Sequence, residues 1–387
     1  IEYATGRIDY AECLQCWDCQ ATGRDDAVCP ELILSKKERR APRIVGIVLL
    51  LGAVEGGATA SAAVTHRAEP NGPTIAAAIA TAAPGDTVTV APGHYREHLV
   101  IDKPLVLIGE HGAVIDGGGE GRVVFVTAAD VTVEGLTLRG CGRDPEEANA
   151  AVRTAKEAAR VRVVGNVIED CPFGVWIHGS ADARIESNRI HGIAELGRND
   201  RGNCVHLADT RGAKILRNDL STCRDGIYME LGGDTVAIGN KIVDSRYSVH
   251  TMWCDNSVYE DNVVSGNLVG LALMFSKGVT AKRNIVHDNA THGILLTQVT
   301  RSVVADNVVI GNTKGLFVYN SLYNDIHDNF IARNGLGLHY WGGSEENQLR
   351  SNTFVENEIQ VKFVAAYDQD WAGNFWSDYV GWDVDGN

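Results

Sequence analysis

The chain has 387 residues, 44% of them hydrophobic, with 42 glycines and nine cysteines, which suits a long buried core cut by many tight turns and little helix. Its formal charge of -15 excludes nucleic acid and anionic membrane as main partners, because both are held through basic patches. Cationic and protein partners stay open.

In chain order, the first feature is Cys13, Cys16 and Cys19 in a C-x2-C-x2-C run, followed by Cys29-Pro30. This is the thiolate spacing of a bacterial 4Fe-4S cluster, except that nine residues rather than three separate the last two cysteines. Four thiolates also suit zinc, and disulfides are the third reading; the Cys-Pro ending favours iron-sulfur. With Ile8-Asp9-Tyr10-Ala11-Glu12 before the cysteines and a basic stretch after them, residues 1–40 resemble the C-terminal tail of the NosR family of membrane iron-sulfur flavoproteins. The resemblance implies a segment that is cytoplasmic if retained, carried here either as a natural fusion or as a gene read-through fragment. Residues 41–63 read as a signal peptide or signal-anchor. A basic flank (Lys36 to Arg43) precedes the apolar run Ile44 to Val54 and the small residues Ala60 to Ala63. The run is shorter than the roughly 20 residues of a spanning helix. Residues 64–387 are therefore expected as an exported domain.

That domain opens on a short apolar helix over Thr74 to Ala80, read as the cap of a solenoid. Then comes a repeat. Asn166, Asn188, Asn218, Asn240, Asn262, Asn284, Asn307, Asn329, Asn352 and Asn374 form one column, with spacings of 22 or 23 residues and a single gap of 30. β-Branched residues around each Asn and turn residues between them predict a right-handed, single-stranded parallel β-helix. The Asn column is expected to be a structural ladder of stacked amides. Eight positions after the Asn, most coils carry Gly (Gly174, Gly226, Gly270, Gly315, Gly337) and then a strand. Inward residues of that strand fall at offsets 9 and 11, as in Ile227/Met229 and Leu271/Leu273, once an eight-residue insertion before residue 204 is removed.

Offsets 10 and 12 must then point outward. They carry His206, Tyr228 and His250 in one row, beside Glu230, Met252 and Met274 in the other, with coils about 4.8 Å apart. Imidazole and thioether are ligands that Cu(I) prefers, and carboxylate can join them for Cu(II). His206, His250, Met252, Met274, Glu230 and His178 are therefore nominated as a transient copper-contact patch. Trp176, Tyr228, Phe317, Tyr319, His339 and Trp341 on the same face are nominated as a partner-binding surface, and aromatic and Met side chains would favour an interface even without metal. Among the cysteines of this domain, Cys171 and Cys223 lie two coils apart, beyond the roughly 7 Å a disulfide allows. Cys141, Cys171, Cys204, Cys223 and Cys254 are thus expected as free or buried thiols.

Lys103-Pro104-Leu105-Val106-Leu107-Ile108-Gly109, Val114-Ile115-Asp116-Gly117-Gly118-Gly119 and the ending Gly373-Asn374-Phe375-Trp376-Ser377-Asp378-Tyr379 resemble the NosD family over about residues 70–387. The resemblance implies a periplasmic accessory protein for copper-site assembly in nitrous oxide reductase. It implies delivery of copper or a sulfur species together with the ATPase and permease of an ABC transporter, a copper chaperone and the reductase as further partners, and membrane association through those partners. It implies no catalytic residue. The alternative from another class is a polysaccharide lyase, hydrolase or epimerase, since β-helices often carry such activities, and a passive surface solenoid is a third. A glycosidase needs two carboxylates facing one groove, and the outward rows hold one, Glu230.

Overall fold

A computed structural model describes residues 63–144, 147–364 and 369–381. The Cys13–Cys29 segment and the signal-like run lie outside the described residues. Each coil contributes one short strand to each of three parallel sheets, of 13, 12 and 13 strands. The first sheet runs from Thr65–Ala68 to Gln348–Arg350, the second from Leu99–Ile101 to Ile359–Phe363, and the third from Gly93–Tyr95 to Phe375–Trp376. Every pairing is parallel, as in Ile227↔Val249 and Lys214↔Val236. The fold is the expected parallel β-helix.

Strand alternation builds the core. Central residues of three-residue strands, such as Tyr259 and Val264, are fully buried while their neighbours are half-buried. A polar ladder closes each corner. In the Asn column, Asn262 Oδ1 accepts from the backbone N–H of Asn240 (2.9 Å) and from its Nδ2 (3.0 Å), and Asn262 Nδ2 passes the bond on to Asn284 (2.9 Å). This buried ladder runs unbroken from Asn166 to Asn374. The residue before each Asn is left-handed, as at Asp261, Arg283 and Asp306 (φ 54°, 54° and 56°), which turns the chain out of one sheet into the next. A second ladder, Asn267, Asn289, Asn312, Asn334 and Asn357, closes another corner and was not anticipated. Ser302, Asn324 and Asn347 serve the third. The recurrent Gly has a steric cause: a Cβ on Gly226 would collide with the Ile242 side chain and the Ser248 carbonyl of the next coil.

Helix α1 (Ile75–Thr81) is the expected cap. Thr74 Oγ1 accepts from the N–H of Ala77, the Glu97 carboxylate accepts from those of Ile75 and Ala76, and Lys103 donates to the carbonyls of Ile79 and Ala82. Ile75, Ala78 and Ile79 seal the first coil.

The cysteine expectation is corrected. Cys141–Cys171 and Cys204–Cys223 are disulfides, with Cα separations of 4.8 and 5.6 Å, and only Cys254 is free among the described cysteines. Cys141 and Cys171 hold the same place in adjacent coils. Leu136 occupies the ladder position below Asn166, so counting from Asn residues skips that coil. Cys204 ends the insertion and meets Cys223 of the next coil.

Candidate metal centre

The candidate site lies on the second sheet, where its longest strands, Asp225–Gly233 and Tyr247–Asp255, pair between Val205–Ala208 and Val269–Met274. The pairings His206↔Tyr228, Tyr228↔His250, Glu230↔Met252 and Met252↔Met274 form the two rows read from the sequence. The rows point away from the core, whose wall is made by Val205, Leu207, Ile227, Met229, Val249, Leu271 and Leu273. They are not open to solvent, however. His206, His250, Met252 and Met274 are 7%, 4%, 5% and 2% exposed, and only Tyr228 and Glu230 between them are half-buried. Rings packed along the row contribute to this closure. Trp176 stacks on His206 at 4.1 Å between centroids, and Tyr228 meets both His206 and His250 at 4.9 Å.

Each imidazole is anchored through Nδ1. His250 Nδ1 donates to Asp225 Oδ2 (3.0 Å), and Asp225 is fully buried and clamped by Arg246 through Nε (2.9 Å) and a terminal nitrogen (2.7 Å). Burial works against the Asp225 charge, but His250 and Arg246 outweigh it and hold the carboxyl far below the usual range. His206 Nδ1 lies 3.3 Å from the side-chain nitrogen of Asn203, which sits one coil below Asp225 at the equivalent place. Both Nε2 atoms are buried without a hydrogen-bond partner. A metal-binding histidine is commonly arranged in this way, with a second residue fixing one ring nitrogen.

Glu230 joins the rows. Its Oε1 lies 3.6 Å from His206 Nε2, beyond hydrogen-bond range, while Oε2 accepts from the Tyr228 hydroxyl (2.9 Å). His206 and Tyr228 hold the Glu230 carboxyl low, and burial pushes the His206 imidazole down towards its neutral form. The Tyr228 hydroxyl is also 3.9 Å from Met252 Sδ. Sequence reasoning missed Asp225, Arg246 and Asn203, although Asp225 directly precedes the conspicuous Gly226.

The remaining nominated residues do not join. His178 is exposed and separated from Glu230 by Ala208 in its own row. Phe317, Tyr319, His339 and Trp341 form a second ring cluster, with Phe317–His339 at 5.0 Å and His339–Trp341 at 5.1 Å. Ala272 and Leu295 separate it from the histidine row. Burial, reinforced by Lys314 and Lys362, lowers His339 to about 4. Among the described residues no three His, Cys, Asp or Glu side chains converge on one metal position. The six nominated ligands are therefore not a single site.

Comparisons with known proteins bear on the same region. Residues 187–381 match the family model described as periplasmic copper-binding protein (NosD), residues 2–40 match NosR, and residues 66–278 match a family of unknown function. A protein of Pseudomonas aeruginosa named probable ABC transporter binding protein NosD is 38% identical over 315 residues, covering 77% of this chain and 74% of that protein. Its namesake from Stutzerimonas stutzeri is 37% identical over 310 residues, covering 75% and 71%. These names describe binding proteins rather than enzymes. Among solved structures, the A-module of an Azotobacter vinelandii mannuronan C-5 epimerase matches with a TM-score of 0.60 at 15% identity, covering 78% of this chain and 94% of that one. A Yersinia enterocolitica family 28 exopolygalacturonase matches with a TM-score of 0.60 at 10% identity, covering 77% and 75%. At such identities the likeness is one of fold alone. By the family model and by relatives of more than one third identity over most of their length, this chain belongs to the NosD family.

Proposed function

We propose that the β-helix works in the periplasm as an accessory protein for copper-site assembly of nitrous oxide reductase, handling copper as cargo alongside an ABC transporter ATPase and permease and a copper chaperone. The observation that carries this reading is the pair of buried imidazoles, His206 and His250, each tied at Nδ1 and unpartnered at Nε2, beside Glu230 and Met252 in a chain of a family described as copper-binding. Two disulfides in the solenoid support an oxidising compartment. The Phe317, Tyr319, His339 and Trp341 cluster is the proposed partner-facing surface, and the Cys13, Cys16, Cys19 and Cys29 segment, within the NosR match, is proposed to hold an iron-sulfur cluster on the cytoplasmic side. A carbohydrate-processing reading gains nothing from these rows, which carry one carboxylate, Glu230, while Asp225 beside them is buried and committed to Arg246 and His250.

The test is maturation. In a strain lacking this chain, the reductase should accumulate with depleted copper and without nitrous oxide reduction. The wild-type chain should restore both, and a His206→Ala/His250→Ala variant should not. Full copper loading of the reductase without the chain would overturn the reading.

A further inference from the structure

His206 and His250 stand two coils apart, about 9.6 Å by coil rise, with the Tyr228 ring between them. Two nitrogens bound to one ion at about 2.0–2.1 Å each would have to lie within about 4 Å of each other. With the Tyr228 ring standing between them the two imidazoles do not converge on one ion, in keeping with the absence of a three-residue His/Cys/Asp/Glu cluster among the described residues. Their surroundings also differ. His206 Nε2 faces a carboxylate: its 3.6 Å separation from Glu230 Oε1 is too long for a hydrogen bond. The same separation fits two ligands that meet one ion at about 120° with bonds of about 2.1 Å. His250 shares its outward strand face with Met252, and Met274 lies next to Met252 one coil on, so two thioethers stand on the face that carries this imidazole.

We propose that the face holds two separate cation positions of unlike hardness: one formed by His206 Nε2 and the Glu230 carboxylate, the other by His250 Nε2 with Met252 and Met274. The first is a nitrogen-oxygen site suited to Zn(II) or Cu(II); the second is a nitrogen-sulfur site suited to Cu(I). The Tyr228 hydroxyl, bonded to Glu230 (2.9 Å) and 3.9 Å from Met252 Sδ, touches both. Asp225 and Arg246 are positioning residues of the second position. Asp225 accepts the Nδ1 proton of His250 and leaves the lone pair on Nε2. At the first position Asn203 does the same after a half-turn of its amide, because its Oδ1, unpartnered as it stands, then accepts the Nδ1 proton of His206.

The inference deepens the copper-handling reading and rests on it for the identity of the cargo, but its test is separate. The full chain, carrying Cys13→Ser, Cys16→Ser, Cys19→Ser and Cys29→Ser to silence the N-terminal thiols, is titrated anaerobically with Cu(I) alone and with Zn(II) alone against competing chelators. His250→Gln and Met252→Leu should weaken Cu(I) binding by about 100-fold or more, beyond the roughly 10–100-fold cost of losing a second-shell partner, and leave Zn(II) unchanged. His206→Gln and Glu230→Gln should do the reverse. X-ray absorption of the Cu(I)-loaded protein with intact site residues should show sulfur scatterers that Met252→Leu diminishes, which keeps the inference testable should a site variant misfold. Loss of both metals in one folded variant, indifference of both metals to all four variants, or nitrogen and oxygen scatterers alone around Cu(I) would overturn it. Failure of the deletion strain to lose reductase copper would overturn the maturation reading and leave these two positions standing.

Discussion

Replacing Asn262 by Ala tests whether the amide ladder is what holds the coils in register. Asn262 takes part in four side-chain bonds: Oδ1 accepts from the backbone N–H and Nδ2 of Asn240, and Nδ2 donates to Ala237 O and Asn284 Oδ1, all at 2.9–3.0 Å. At a net value of about 1 kcal/mol for each bond, their loss is worth about 4 kcal/mol. The buried N–H of Asn240 alone, left without an acceptor, accounts for roughly 1–3 kcal/mol of that. Such a loss is a large part of the roughly 5–15 kcal/mol that a folded domain has. The assay is urea unfolding followed by far-ultraviolet circular dichroism, with amide exchange at Asn240 as the local readout. Lys241→Ala, on the exposed side of the same coil, is the control and should stay within about 0.5 kcal/mol. Asn374→Ala, at the half-buried end of the ladder, should cost less than Asn262→Ala. A loss below about 1 kcal/mol at Asn262, with protection of Asn240 unchanged, would refute the reasoning and leave apolar stacking as the source of register.

Four further outcomes are expected. Arg246→Met leaves the buried Asp225 charge with His250 alone to offset it and should cost about 3–5 kcal/mol, whereas Arg246→Met with Asp225→Leu should be less destabilised, a sign reversal that a double-mutant cycle in urea would read. Asp86 accepts from the N–H groups of Val64 and Ala83 and pairs with His66, which lowers its carboxyl to about 2. Because the folded value is the depressed one, this support is complete above about pH 4 and fades as pH falls towards 2, so amide exchange in Thr65–Ala68 should accelerate across that window and not in an Asp86→Asn variant. Reduction of Cys204–Cys223, which closes 19 residues, should cost about 3 kcal/mol by chain entropy. Alkylation of the unfolded, unreduced chain should label Cys254 and none of Cys141, Cys171, Cys204 and Cys223.

The fold was legible because its two signals are local. Apolar alternation needs only a few residues, and the Asn column repeats at a fixed spacing whatever lies between. What stayed hidden did so where one column changes chemistry along the stack. The corner occupied by Asn267, Asn289, Asn312, Asn334 and Asn357 begins as Cys141, Cys171, Ile193, Cys223 and Ser245, so its ladder cannot be found by looking for repeated Asn. The Cys141–Cys171 disulfide was lost for a related reason, since Leu136 stands in the Asn column below it.

The candidate site was legible as two rows but not as a set of partnerships, and the difference is physical. Register fixes which residues stack, and it is visible in the spacing; which ring nitrogen is held, and by what, depends on side chains at or just before the start of each strand. Asp225, the first residue of its strand, and Asn203, two residues before its own, occupy equivalent positions in neighbouring coils. Here Asp225 reaches up to the histidine of the next coil, whereas Asn203 serves the histidine of its own. One offset thus anchors two imidazoles that stand two coils apart, and Tyr228 fills the space between them.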